Sequence, residues 1–131
     1  MFQTVKSQNN MMVSPHWMAT QAGSEIMKSG GNAVEAMICS AAVISVVYPH
    51  MNSLGGDNFW LMNTFDQKLI AIEATGFSSE KATIDFYNSI GLKQIPSRGD
   101  FSAITVPGVV SGWMQAYKYS LQKLNGKKSK S

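Results

Sequence analysis

The chain has one cysteine and one arginine among its 131 residues, and each scarcity removes a class of chemistry. Cys39 lies between Ile38 and Ser40 in the most apolar stretch, which excludes a disulfide framework and a cysteine-ligated zinc site. A small buried thiol is its expected role. The two histidines, His16 and His50, each follow a proline and stand 34 residues apart, which fits no local ligand spacing. They are expected to serve the start of a helix and a loop. Long apolar runs are also missing. The longest, from Ala36 to Val47, is broken by Ser40 and Ser45 and is too short to span a bilayer. Residues 1–8 lack the apolar core of a signal peptide. The expectations are therefore a cytoplasmic protein with no metal, no cofactor and no membrane partner. Charged residues make up only 15% of the chain against 44% hydrophobic, a balance that a disordered chain would reverse.

The net charge of +3 is unevenly placed. Lys123, Lys127, Lys128 and Lys130 supply +4, so residues 1–122 sum to −1. The basic character belongs to a short tail, 123–131, which reads as a solvated end; no nucleic-acid partner is expected. The remainder, 1–122, has the length of one domain at most.

Along that body, Asn10–Val13 is a short apolar run with the form of a strand, followed by Ser14 as an N-cap and Pro15 at the first helical position. The spacing predicts a helix from Pro15 to about Lys28, with Trp17, Gln21, Ala22, Ile26 and Met27 as its apolar stripe. Gly30 or Gly31 supplies a left-handed stop. Asn32 and Glu35 form the pattern of a capping box ahead of a second helix, Ala33 to Tyr48, closed by Pro49. That helix is apolar almost all round and expects burial on most of its surface. Gly55 and Gly56 then make a turn that lets another segment come close. Asn58–Phe65 and Lys68–Glu73 read as a hairpin across Asp66-Gln67. Ala82–Ile90 has a weak helical pattern stopped by Gly91, and Gln94–Asp100 is an extended loop. Ser102–Val106 reads as a third strand. Pro107-Gly108 opens a helix running to Leu124, stopped by Asn125-Gly126.

Four ordered passages resemble the amino-terminal part of the large subunit of the gamma-glutamyltranspeptidase family. They are Met12-Val-Ser-Pro-His-Trp-Met-Ala-Thr-Gln-Ala-Gly23, Gly30-Gly-Asn-Ala-Val-Glu-Ala36, Pro49-His-Met-Asn-Ser-Leu-Gly-Gly-Asp57 and Ser102-Ala-Ile-Thr-Val-Pro-Gly108. The resemblance implies an α/β fold, part of the αββα N-terminal-nucleophile hydrolase architecture: a helical pair, a β-hairpin and a further strand–helix unit. It also implies a precursor that cuts itself to expose a threonine, whose own amine serves as base in transferring gamma-glutamyl groups from glutathione and related amides. Exported members exist in such a family. The nucleophile and the oxyanion glycines lie downstream of the matched region, so no catalytic residue is expected here.

The same resemblance places Thr75 where the family carries an arginine that grips the substrate's α-carboxylate. Threonine cannot form that planar two-bond grip, which puts glutathione in doubt as substrate. Thr75, Glu73 and Arg98 are the expected substrate-binding residues, with Gly76 and Ser78 beside them. Ordinary surface-loop and structural roles stand as the alternative. Thr20, Thr83 and Thr105 are not nucleophile candidates, since none has an adjacent base. Three readings follow: a non-catalytic remnant of a longer enzyme, one half of a split enzyme assembling with a downstream fragment, or a non-enzymatic binding module using the lysine tail.

Overall fold

A computed structural model describes residues 4–102 and 105–124. The chain divides into two units: one comprises residues 1–53 and 113–131, the other residues 54–112.

In the first unit, helix α1 (Trp17–Lys28) and helix α2 (Ala33–Val47) pack together across a four-residue connection. The start of α1 differs from expectation, and residues 10–13 ahead of it form no strand. His16, not Ser14, is the N-cap: its Nδ1 accepts the Met18 N–H at 3.2 Å. The Ser14 hydroxyl instead bonds the His16 carbonyl at 2.8 Å and Thr20 Oγ1 at 2.7 Å, which leaves Pro15 outside the helix. The buried line of α1 is also different, running through Ala19 and Gly23 rather than the larger side chains, and Trp17 is 64% exposed. The reason is backbone proximity. A Cβ on Gly23 would stand 3.0 Å from the Ala36 carbonyl oxygen, so small residues face α2 and bulky ones flank the contact.

Gly30 ends α1 with φ of 82°, the left-handed stop that glycine permits. The capping box is present: Asn32 Oδ1 accepts from Val34 and Glu35, and the Asn32 N–H donates to Glu35 Oε2 at 2.8 Å. Ala36, Ser40 and Ile44, four residues apart, form the buried line of α2 with Val34. Other parts of this apolar helix remain open, with Met37 and Val46 exposed.

In the second unit, strands β1 (Asn58–Asn63) and β2 (Leu69–Ala74) form an antiparallel hairpin, Trp60 opposite Ile72 and Leu61 opposite Ala71. Both strands are a residue or two shorter at the turn than expected. Thr64 closes it instead, exchanging bonds with Lys68 through backbone and hydroxyl, while Gln67 adopts φ of 61°. Phe59, Leu61, Asn63, Leu69, Ala71 and Glu73 share the exposed face.

Helix α3 (Ile84–Ser89) is capped by Thr83, followed by Gly91 at φ 78° and later by a single 3-10 turn, Asp100–Ser102. Tyr87, the buried residue of α3, donates its hydroxyl to the Phe101 carbonyl at 3.1 Å. The expected strand at 102–106 reduces, among the described residues, to one antiparallel bridge between Ser78 and Thr105; Ala103 and Ile104 lie outside the description. Helix α4 (Val109–Lys123) follows Pro107-Gly108 as expected. Its stop at Asn125-Gly126 and the tail from residue 125 onward also lie outside the described residues. No helix among the described residues is long and apolar enough to cross a membrane.

Candidate functional site

The segment from Glu73 to Ser78 leaves the end of β2 and is gripped from two sides. Glu73 and Thr75 are two residues apart in extended backbone, which places both side chains on one face. Thr75 Oγ1 donates to Glu73 Oε1 at 3.1 Å, and both residues are exposed. The structure therefore brings two of the three expected substrate-binding residues together, with their side chains bonded to each other.

On one side of this segment lies the Gly55-Gly56-Asp57 turn. Asp57 Oδ1 accepts the Gly76 N–H at 3.4 Å, and the Gly56 carbonyl accepts from Gly108 at 2.9 Å and Val109 at 3.2 Å. The left-handed glycines among the described residues are Gly30, Gly91 and Gly99, so the glycine pair adopts no left-handed φ. Through the Gly56 carbonyl the turn meets the start of α4. On the other side, the Val106 N–H donates to the Phe77 carbonyl at 3.1 Å. Asp57 and Gly108 escaped the sequence reading as parts of this site. Their legible signal was position alone: each ends a motif, Leu-Gly-Gly-Asp and Val-Pro-Gly.

Arg98 lies on an exposed stretch ahead of the 3-10 turn and forms no ion pair among the described residues. No bond joins it to Glu73 or Thr75 there. His50 stacks obliquely on Tyr48, their ring centroids 4.2 Å apart, beyond the end of α2. With His16 capping α1, the two histidines fill the helix-start and loop positions expected of them.

The hydroxyls of Thr20, Thr64 and Thr83 are occupied by structure. Thr20 bonds Ser14, Thr83 accepts the Phe86 N–H, and Thr64 bonds Asp66 and Lys68 in the hairpin turn. The Thr64–Asp66 pair has the outline of a nucleophile and base, but the electrostatics oppose it. Hydrogen bonds from Lys68 and Thr64 hold the Asp66 carboxyl below its ordinary value, which makes it a poor proton acceptor.

In the first unit a separate groove of about 340 Å³ is lined by Glu35, Ile38, Cys39, Trp113, Met114 and Tyr117. Cys39 is half-buried there, less enclosed than its apolar context suggested. The buried Trp113 Nε1 has no hydrogen-bond partner among the described residues.

Residues 19–122 match the family model for gamma-glutamyltranspeptidase. The chain is 47% identical over 114 residues to an oxamate amidohydrolase proenzyme of Klebsiella pneumoniae, covering 87% of this chain and 21% of that protein. It is 47% identical over 116 residues to a glutathione hydrolase-like proenzyme, YwrD, of Bacillus subtilis, covering 86% and 21% respectively. Its fold superposes on the gamma-glutamyltranspeptidase of Pseudomonas nitroreducens complexed with L-DON with a TM-score of 0.75 at 28% identity, over 86% of this chain and 34% of that one. The chain thus spans about a fifth of the length of these curated relatives. The helical pair and hairpin are accordingly part of an N-terminal-nucleophile hydrolase fold. By fold, and by a match covering most of its residues, this chain belongs to the gamma-glutamyltranspeptidase family.

Proposed function

We propose that this chain supplies scaffold and one substrate-facing loop to an amide hydrolase of its family, and that the attacking threonine lies outside these 131 residues. The observation that carries the reading is the Glu73–Ser78 segment, exposed at Thr75 and Glu73 yet tied down by Asp57 and Val106. A loop with its side chains open and its backbone fixed is the form a substrate contact takes. The threonine hydroxyls at 20, 64 and 83 are meanwhile committed to caps and turns.

In the assembled enzyme, an N-terminal threonine hydroxyl attacks the amide carbonyl while its own amine takes the proton. The amine product leaves, and water releases the acyl group from the ester. Donors for the developing oxyanion come from the same additional polypeptide, whether joined to this chain or separate from it.

The loop favours an acyl group other than the gamma-glutamyl group of glutathione. Thr75 offers no two-bond grip on the α-carboxylate of a gamma-glutamyl group, and its hydroxyl already serves Glu73. The two relatives at 47% identity are named for oxamate and for a glutathione hydrolase-like activity, so small amides are the substrate class to assay. The test is to co-express the chain with the remaining family polypeptide and follow ammonia release from oxamate and aniline release from a gamma-glutamyl anilide. Turnover by the assembly, with the anilide the poorer substrate, supports the reading. An assembly that turns over neither amide contradicts it.

A further inference from the structure

Residues 74–78 run beside residues 105–108 more closely than side chains permit. A Cβ on Gly76 would overlap the carbonyl oxygen of Val106, and one on Gly108 would overlap that of Ala74. Neighbouring antiparallel strands ordinarily lie about 4.7–4.9 Å apart and accommodate any Cβ. Here both close approaches fall on glycine, and they flank Thr75: Ala74 meets Gly108 on one side, and Gly76 meets Val106 on the other. Neither glycine has a left-handed φ, so space rather than conformation demands the missing side chain.

The surrounding bonds continue the arrangement. The Val106 N–H donates to the Phe77 carbonyl at 3.1 Å, and Ser78 bridges to Thr105. The Gly76 N–H reaches Asp57 Oδ1 at 3.4 Å, and the Gly108 N–H reaches the Gly56 carbonyl at 2.9 Å. The peptide unit after Thr75 is thus bonded to Asp57, while the one before it lies against Gly108.

We infer that Gly76 and Gly108 are positioning residues, a backbone latch that aims the Glu73 and Thr75 side chains at substrate; this rests on the functional reading of that loop given above. Either glycine carrying a methyl group pushes the loop away from residues 105–108. Thr75 then moves with the displaced backbone, and a shift of about 1 Å in a substrate contact costs about 100-fold in rate.

The experiment uses the assembled enzyme bearing Gly76→Ala, Gly108→Ala or Gly91→Ala. Gly91 sits at φ 78° in open space, so its alanine variant strains the backbone without crowding and controls for general destabilisation. The expected result is a loss of about 100-fold in kcat/KM, carried mainly by KM, for the first two variants and an unchanged KM for the third. Folded Gly76→Ala and Gly108→Ala enzymes with normal KM overturn the inference, as does an equal loss in Gly91→Ala.

Should both latch variants fail to fold, Asp57→Ala decides, because it removes the acceptor for the Gly76 N–H without adding bulk. A raised KM that Asp57→Asn largely restores supports the latch; an unchanged KM in Asp57→Ala overturns it. A wild-type assembly that turns over no amide sinks the functional reading and the positioning role with it. Amide exchange at Val106 in the chain itself still reports whether the latch exists, since Gly76→Ala abolishes its protection only if it does.

Discussion

Asn32 and Ser120 stand 88 positions apart, and Asn32 Nδ2 donates to Ser120 Oγ at 2.7 Å. Ser120 is fully buried, so its hydroxyl has no water to fall back on. The same Asn32 caps α2 through its Oδ1, which makes one side chain both the start of a helix and a tie to α4. Asn32→Ala is expected to lower stability by about 1–2 kcal/mol for the cap. Stranding the Ser120 hydroxyl adds about 1 kcal/mol. Asn32→Asp keeps the cap but not the amide donor, so urea unfolding should place it between Asn32→Ala and the wild type.

The approach of α1 to α2 at Gly23 predicts a cost for even one methyl group. Gly23→Ala brings its Cβ to 3.0 Å from the Ala36 carbonyl and into the Met12 side chain. Met12 can move, but the backbone of α2 cannot. The expected loss is about 1–3 kcal/mol, read by thermal unfolding of the variant.

Gln67 holds a left-handed φ of 61° at the tip of the hairpin, a conformation that costs a side-chain-bearing residue about 1 kcal/mol. Gln67→Gly relieves it, and Gln67→Asn relieves part. Both variants should unfold at slightly higher temperature than the parent, whereas Gln67→Val should unfold lower.

Asp66 gives the same turn a small acid sensitivity. Its folded-state carboxyl titrates below the unfolded one because Lys68 and Thr64 bond the charged form. The stabilisation is therefore fully present above the unfolded carboxylate value and is lost as pH falls through the folded one. Asp66→Asn should flatten that part of the stability–pH curve by removing the neutral-pH stabilisation and leaving acid stability unchanged, a small effect because the Lys68 pair is exposed.

Much of this was legible in the residues, for physical reasons that differ by element. Asn32-Ala-Val-Glu35 announces a capping box because both halves of the exchange are local. The hairpin follows from alternation on either side of Asp66-Gln67. Local rules failed where distant backbone decides. The apolar stripe of α1 was sought in Trp17 and Ile26, but α2 comes too close for them, and Ala19 with Gly23 takes that face. Ser14 fits the N-cap preference better than His16, but its hydroxyl is engaged by the His16 carbonyl and Thr20, and His16 takes the role. Of the β-rich run at 102–106, Ser102 falls in the 3-10 turn and Thr105 bridges to Ser78, while Ala103 and Ile104 lie outside the described residues. Thr75, Glu73 and Gly76 were named from the sequence, but the closeness of their segment to Asp57 and Gly108 is a property of the folded chain alone.

The central proposal is that the acyl-transfer centre lies outside these 131 residues. Its most direct test gives the purified chain alone a gamma-glutamyl anilide and oxamate, and measures released amine against a heat-treated control. The expected result is no product above that control, under conditions where the same chain assembled with the remaining family polypeptide releases amine. Clear turnover by the chain alone would contradict the account.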